Sequence, residues 1–512
     1  MARSIKRALV SYFRPQKMLE FTKSLSNLGV EIWASSGTAR FLSNNTLKVN
    51  EVESLTGFVR LIGGRVKTLH PKIFAGILCD RNNPSHLEDT KEIGGLLFDL
   101  IAVDLYPFEF GLKENLSFEG QRELIDIGGV ALIRAAAKNS PQTTVVIDEE
   151  GFSWVIDELN STNGCILEQT SYKLAAKAFS YTSYYDGLIA GFLLKKIGQE
   201  GELPERISIP QVRLQPLRYG ENPHQRAAIY TANALQGVPY RMLHGKELSY
   251  NNMLDIEGAY LLAREFQEPS AVLVKHTNPC GVAIGTSVSH AFKRAFECDS
   301  QSAFGGIFAF NRMVTRELAE KLKSIFFEVI LAPEYEPSAL ELIKRKKNLR
   351  VMIMNFDCEL PELELRQAIF GYLWQEKNML SPKEALLNVV SIRKPTEKEI
   401  NDLLFAFTVV KYVKSNAIVF ARDGATLGIG AGQMSRVDSV NLAALKAKGR
   451  ALGACMASDA FFPFPDGIES AKKAGIQVVI TPSGSIRDKE VIEEADRLGM
   501  VLVFASERHF KH

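Results

Sequence analysis

No stretch of this chain is apolar over the ~18 residues that a membrane-spanning helix needs, so no segment is read as transmembrane. Cysteine is scarce. Six are scattered at 79, 165, 280, 298, 358 and 455, with no Cys-x-x-Cys pair, which fits neither a disulfide framework nor a structural zinc site. Reduced thiols and a cytoplasmic location are the expectation. An excess of one charge is also missing: 61 Lys and Arg stand against 59 Asp and Glu, a net +2. That balance argues against nucleic acid as a partner, while leaving room for a local basic pocket. Residues 1–13 carry Arg3, Lys6 and Arg7 before a short apolar run that Arg14-Pro15 stops, which reads as a first strand rather than a signal peptide.

What is present is the composition of a folded globular protein: 512 residues, 46% apolar and 23% charged, enough for about two to four domains. Residues 7–13, 30–34, 99–105 and 143–147 read as strands. Residues 15–28 place Met18, Phe21, Leu25 and Leu28 at helical spacing before Gly29, and another helix opens at Gly37-Thr38. This alternation predicts a parallel sheet with crossovers and ligands at the carboxyl ends of its strands. A helical stretch over 172–196 leads into the polar run 198–205 and irregular sequence to Pro210. The expected domains are therefore 1–200, a linker at 201–211, and a second α/β region over 212–512. A break at 381–398 divides that region into lobes of about 212–385 and 398–512. Strands are expected at 271–274, 426–429 and 477–480 and a buried helix at 399–413, with no repeat strong enough to show duplication.

In the first domain, Gly63-Gly64-Arg65-Val66-Lys67-Thr68-Leu69-His70-Pro71-Lys72 gathers four potential cations behind two glycines. Such a run suits a phosphate or a developing oxyanion, or is simply a solvated basic loop. Ala34-Ser35-Ser36-Gly37-Thr38 joins a strand to a helix, where hydroxyls and free N–H groups either bind phosphate or merely cap the helix. Tyr106 follows a strand in Asp104-Leu105-Tyr106-Pro107-Phe108, and Asp126 precedes Gly128-Gly129 and the run Arg134-Ala-Ala-Ala-Lys138-Asn139. A tyrosine, a carboxylate and lysines are parts of an acid–base site, though Asp126 as a cap and Lys138 as a surface lysine are the plainer readings.

In the second region, Val272-Leu-Val-Lys275-His276-Thr277-Asn278-Pro279-Cys280-Gly281 is a buried strand running into a polar turn. Neighbouring strand residues face opposite ways, so Lys275 and His276 share a site only where the strand unwinds, and the Asn-Pro turn is expected to do that. Four further clusters stand out: Leu217-Arg218-Tyr219-Gly220-Glu221-Asn222-Pro223-His224-Gln225, Ser302-Ala303-Phe304-Gly305-Gly306, Lys414-Ser415-Asn416-Ala417 and Ser458-Asp459-Ala460-Phe461-Phe462-Pro463-Phe464. The glycine-rich run 428–436, ending at Arg436, lacks the dinucleotide-binding spacing. Ordinary packing and turn chemistry account for each cluster taken singly. Residues 508–512, Arg-His-Phe-Lys-His, form a basic tail.

Taken together these runs resemble the bifunctional family that joins an inosine monophosphate (IMP) cyclohydrolase domain to an aminoimidazole-carboxamide ribonucleotide (AICAR) transformylase. The Gly-Arg-Val-Lys-Thr-Leu-His-Pro and Arg-Ala-Ala-Ala-Lys-Asn runs carry the first half of the resemblance. Leu-Arg-Tyr-Gly-Glu-Asn-Pro-His-Gln, Lys-His-x-Asn-Pro-Cys-Gly, Ser-Ala-Phe-Gly-Gly and Ser-Asp-Ala-Phe-Phe-Pro-Phe carry the second. The resemblance implies a methylglyoxal-synthase-like parallel-sheet domain followed by two cytidine-deaminase-like α/β lobes. It implies that Lys67, Tyr106, Asp126 and Lys138 line the ring-closure site, with Ser35, Gly37, Thr38, Arg65 and Thr68 on the nucleotide. His276 is then the base for formyl transfer and Lys275 assists. Arg218, Tyr219, Gly305, Glu328, Asn416, Arg436 and Arg508 touch the nucleotide, and Phe461, Asp466, Ile480 and Thr481 border the folate.

The co-substrate implied is 10-formyltetrahydrofolate, and the assembly implied is a homodimer with a shared transformylase site. Zinc deaminases need His-x-Glu and Pro-Cys-x-x-Cys, but Pro279-Cys280 has no second cysteine and His86-x-Glu88 lies in the other domain, so no catalytic metal is expected. The sequence departs from the family at three places. Phe13 and Pro15 stand where a serine and a phosphate-binding lysine are usual, and Asp104 replaces an asparagine. At Glu328 some relatives carry aspartate, and at Gly467 asparagine. These departures motivate an alternative in which only the transformylase is active and the first domain is a scaffold. A methylglyoxal-synthase-like lyase is the third reading.

Overall fold

The computed structural model describes residues 2–58, 61–198, 203–232, 238–382 and 387–512. Part of the expected linker (201–202) and the lobe limit at 385 lie outside the described residues. Two compact units make up the chain, Met1–Val212 with Tyr230–Gly237, and Arg213–Ile229 with Val238–His512.

In the first unit, β1 (Arg7–Tyr12), α1 (Pro15–Asn27), β2 (Glu31–Ala34), α2 (Ser36–Asn44), β3 (Asn50–Glu51), α3 (Pro71–Leu78), β4 (Leu100–Asp104), α4 (Gly128–Lys138), β5 (Thr144–Val146) and α5 (Glu168–Lys196) follow in order. The strands lie β3-β2-β1-β4-β5 with every neighbour parallel. Ala8, Leu9 and Val10 in β1 and Leu100 to Val103 in β4 are buried whichever face they point to, as a parallel sheet covered on both sides requires. The carboxyl ends of β2, β1 and β4 adjoin, so Ser35, Phe13 and Tyr106 share one edge. Helix α2 opens at Ser36, one residue before the expected Gly37.

The second unit is built twice over. The first copy runs β6 (Tyr240–His244), α6 (Tyr250–Arg264), β7 (Ser270–Lys275), β8 (Asn278–Ile284), α7 (Val288–Cys298), β9 (Ile307–Phe310), α8 (Arg316–Leu322), β10 (Val329–Ala332), α9 (Pro337–Lys344) and β11 (Arg350–Met354). The second runs β12 (Leu387–Val389), α10 (Glu397–Val410), β13 (Ile418–Arg422), β14 (Ala425–Gly430), α11 (Arg436–Ala447), β15 (Cys455–Ser458), α12 (Asp466–Lys473), β16 (Val478–Pro482), α13 (Asp488–Arg497) and β17 (Val501–Ala505). One twelve-stranded sheet holds both, in the order β6-β11-β10-β9-β7-β8-β14-β13-β15-β16-β17-β12. That order reads the same from either end, so a pseudo-two-fold axis passes between β8 and β14, where Ala283 pairs with Ala425.

The duplication is one of architecture rather than of residues, which is why the sequence hid it. It also moves a boundary. Strand β12 lies inside the break at 381–398 and pairs with β17, so the second copy starts near Leu387 rather than 398. Alternation sorts the core: Val272 and Val274 face a cluster shared with α6 and α10, while Ala271 and Leu273 face a cluster under α7 to α9. Close helix–strand approach is repeated as well. A Cβ at Gly281 would lie 2.0 Å from the Ala295 carbonyl oxygen, and one at Gly428 would lie 2.0 Å from that of Ala443.

Candidate active sites

At the carboxyl edge of the first sheet, the Asp126 carboxylate accepts from the N–H of Gly129 (2.7 Å) and of Tyr106 (3.4 Å). The backbone N–H of Asp126 donates to the Tyr185 hydroxyl (2.9 Å), which donates to the Leu124 carbonyl (2.8 Å). Burial pushes the Asp126 carboxyl above its ordinary range, and the two N–H donors and the Lys67 ammonium pull it back. A Cβ at Gly128 would lie 3.2 Å from the Thr68 hydroxyl, and one at Gly129 would lie 2.6 Å from Asp126, so both glycines let these side chains close in. Lys67, Thr68, Tyr106 and Asp126 therefore belong together.

Lys138 does not join them. It ends the eleven-residue α4 that Asp126 precedes, roughly 15 Å away along the axis at 1.5 Å per residue. Asn139 beside it bonds the Ile77 carbonyl (2.6 Å), which Thr143 also reaches just before β5 begins, so it lies at the amino end of the sheet, opposite the end that Tyr106 occupies.

Of the expected nucleotide ligands, Thr38 and Arg65 are engaged within the chain, as are the neighbouring Ser36, Lys17 and Arg14. Thr38 accepts from the Tyr12 N–H (3.0 Å) and donates to the Tyr12 carbonyl (3.3 Å). The Glu53 carboxylate accepts from the Ser36 N–H (3.1 Å), at the start of α2 beside Ser35 and Gly37. Arg65 pairs with Glu123, and Lys17 with Glu149 at 3.5 Å. Arg14 grips Asp104 through its backbone N–H (2.8 Å), Nε (3.1 Å) and Nη2 (2.6 Å). The unusual Asp104 is thus paired with Arg14, which lies between the other two departures, Phe13 and Pro15, and Phe13 packs edge-on against Tyr106 at 5.3 Å.

In the second unit, Lys275 and Asn278 pair across a two-residue hairpin whose loop is His276-Thr277. The turn falls one pair earlier than the expected Asn-Pro, because Asn278 and Pro279 already belong to β8. His276 (φ 51°) and Thr277 (φ 63°) are both left-handed, a conformation usually left to Asn or Gly. The exposed imidazole stands at the tip, and Lys275 donates to the Gly305 carbonyl (2.9 Å). Gly305 itself is left-handed (φ 70°), and a Cβ there would sit 3.1 Å from the Lys275 ammonium.

Three groups hold the turn. Asp255 accepts from the Thr277 N–H (2.6 Å), Asn278 bridges the His276 carbonyl (3.1 Å) and the Lys414 N–H (2.9 Å), and Lys511 reaches the Thr277 carbonyl at 3.5 Å. On the same edge, Glu328 accepts from Asn252 (3.0 Å) and lies 3.7 Å from Arg350, whose charge also feels Arg218 and Tyr219.

A neighbouring cavity of about 440 Å³ is lined by Asn416, Arg436, Phe461, Asp466 and Phe510, among others. Arg436 donates to Ser458 (2.8 Å), to Asp459 and to Asn416 (2.9 Å). Ile480 and Thr481 are buried behind the cavity, where the Thr481 hydroxyl donates to the Ala460 carbonyl (2.9 Å) and so fixes the loop bearing Phe461. Arg508 is exposed, with its guanidinium 4.3 Å from the Phe510 ring. A Cβ at Gly467 would lie 2.5 Å from the Phe462 ring, which explains glycine there.

The model of the AICARFT/IMPCHase bienzyme family matches residues 136–446, more than half of the chain, and that of the MGS-like domain matches residues 17–131. The chain belongs to the AICARFT/IMPCHase bienzyme family. Relatives named Bifunctional purine biosynthesis protein PurH are 46% identical in Persephonella marina, 45% in Bacillus cytotoxicus and 46% in a Thermoanaerobacter species, each over 99% of this chain and 100% of its own length. The crystal structure of ForH aligns with 36% of this chain and 98% of its own at 29% identity, with a TM-score of 0.32, too low to bear on the fold.

The motifs named from sequence did not include Asp255 or Arg350. A half-buried carboxylate and a buried arginine had no motif around them. Only the tertiary fold brings each to its partner. Among the described residues, no helix is long and apolar enough to cross a membrane, and no group of three or more His, Cys, Asp or Glu side chains is placed to hold a metal.

Proposed function

We infer that the second unit transfers the formyl group of 10-formyltetrahydrofolate to the 5-amino group of AICAR, and that the first unit closes formyl-AICAR to IMP with loss of water. The two reactions are the last steps of de novo purine synthesis, and the chain is a bifunctional enzyme of that pathway. The observation that carries the reading is the Lys275–His276 hairpin tip, an imidazole and an ammonium held at one exposed, backbone-strained turn.

The AICAR amine is conjugated to its carboxamide and needs a base as it attacks the formyl carbon, a task that suits imidazole near neutral pH. His276 accepts that proton. Lys275, already donating to a carbonyl, stabilises the oxyanion of the tetrahedral intermediate. Collapse breaks the bond to the folate nitrogen, which takes up a proton. Arg218, Tyr219, Gly305, Glu328, Asn416 and Arg508 serve the nucleotide, and the cavity with Phe461 and Asp466 serves the folate. In the first unit, Lys67 stabilises the developing oxyanion and Tyr106 and Asp126 move protons, with contact between the reacting groups supplying much of the rate. A homodimer sharing the transformylase site, in the cytoplasm, completes the reading. Mixing Lys275→Ala and Arg508→Ala subunits tests that sharing, because activity returns only if the two residues meet across subunits.

The deciding experiment assays the half-reactions separately. Purified protein should consume 10-formyltetrahydrofolate only with AICAR, and should close synthetic formyl-AICAR without folate. No folate consumption would remove the leading reading. No closure would favour the scaffold reading, which the engagement of Arg14, Lys17 and Arg65 by carboxylates motivates. Asp104→Asn discriminates further. It releases Arg14, and the freed guanidinium should lower KM for formyl-AICAR by about threefold to tenfold, as a charge-assisted phosphate contact would. An unchanged KM would place the phosphate elsewhere.

A further inference from the structure

The duplication supplies an internal comparison that isolates one residue. Asp255 is the sixth residue of α6 and Asp402 the sixth of α10. Each carboxylate accepts from the backbone N–H of the second turn residue, Asp255 from Thr277 (2.6 Å) and Asp402 from Gly424 (3.0 Å). The fold thus uses the same carboxylate twice to hold the same hairpin. The loops differ. Asp423-Gly424, at φ 53° and 69°, has a composition that suits a left-handed turn. His276-Thr277 does not, and it carries the imidazole. Asp402 is buried behind a turn without chemistry, whereas Asp255 is half-buried behind one that reacts.

We propose that Asp255 is a positioning residue for formyl transfer, fixing the His276-Thr277 turn through its hydrogen bond and favouring, through its charge, the protonated imidazole that forms when His276 takes the proton of the amine. The inference rests on the transformylase reading of this site. Burial pushes the Asp255 carboxyl up, and the Thr277 N–H, the His276 ring and Lys275 pull it back. The charged groups around the turn are Lys275 on β7, Asp255 and Glu257 on α6, Lys414 in the segment before β13, Lys511 in the tail, and Glu364 on the hairpin 363–376. Of these carboxylates, Asp255 is the one with a hydrogen bond to the turn among the described residues.

The test compares Asp255→Asn with Asp402→Asn. Both keep an oxygen for the turn N–H and remove one charge, so both should alter thermal stability to a similar, small extent. Only Asp255→Asn should move the acid limb of kcat/KM for formyl transfer, downward by on the order of half a pH unit, and lower kcat by about threefold to tenfold. Asp255→Glu, which restores the charge, should restore the limb. A second readout needs no turnover: the pH dependence of His276 carbethoxylation, followed by peptide mass spectrometry, should shift the same way in Asp255→Asn. Profiles that superpose on wild type in both assays, or an equal shift in Asp402→Asn, would overturn the inference. Absence of formyl transfer by the wild-type protein would instead overturn the transformylase reading, and the modification profile would still decide the role of Asp255.

Discussion

Replacing His276-Thr277 by Asn-Gly should make the second unit more stable and nearly abolish formyl transfer. Both native residues sit at positive φ, at 51° and 63°. For L-residues that region costs roughly 1–2 kcal/mol each, and the β-branched Thr277 is poorly suited to it. Asn-Gly is the preferred pair for such a two-residue turn, and Asp423-Gly424 shows that this fold accepts an ordinary one at the equivalent place. The gain expected is about 1–3 kcal/mol, read from the denaturant midpoint of the second unit. The loss expected in kcat is roughly 10²–10⁴-fold, the usual contribution of a positioned base. Ring closure of formyl-AICAR should be untouched. A more stable variant that still transfers formyl at the native rate would remove His276 from the mechanism.

Arg436→Ala should be the most destabilising single change in the cavity. The side chain of Arg436 is 8% exposed and that of Asp459 0%. Deleting one partner of such a pair strands a buried charge, at a cost of about 3–5 kcal/mol. Three of the five guanidinium N–H donors are already spent on Ser458, Asp459 and Asn416. Arg436 therefore shapes the cavity before it touches any ligand, and the variant should lose folding stability along with affinity. An unchanged denaturation midpoint with a raised nucleotide KM would instead make it chiefly a ligand contact.

The sequence carried the strand edges, the parallel first sheet and the residues of the hairpin tip, because those signals are local: periodicity, glycine punctuation and intact motifs. It missed what depends on two distant segments meeting. Asp104 read as a negative charge out of place beside a phosphate site, and only its contact with Arg14 reveals a compensated pair. Lys138 follows the expected motif, yet an eleven-residue helix carries it away from Asp126. Asp255 had no motif because its partner is a backbone N–H. The duplication was hidden because sheet order and helix placement repeat while the residues do not.

The pseudo-two-fold axis also decides the polarity of the edge on which the hairpin tip stands. One copy is turned head to tail against the other, so that edge combines the amino ends of β9, β10 and β11 with the carboxyl ends of β15, β16 and β17. Helices α7, α8 and α9 accordingly end there with their carbonyls, whereas α11, α12 and α13 begin there with their N–H groups. Each helix end carries about half an elementary charge, negative at the carbonyls and positive at the N–H groups. An electric field therefore runs along the edge, from the cavity lined by Arg436 and Asp466 under the second copy toward the Lys275 ammonium under the first. It is built from backbone alone and would persist through any side-chain substitution that leaves the fold intact.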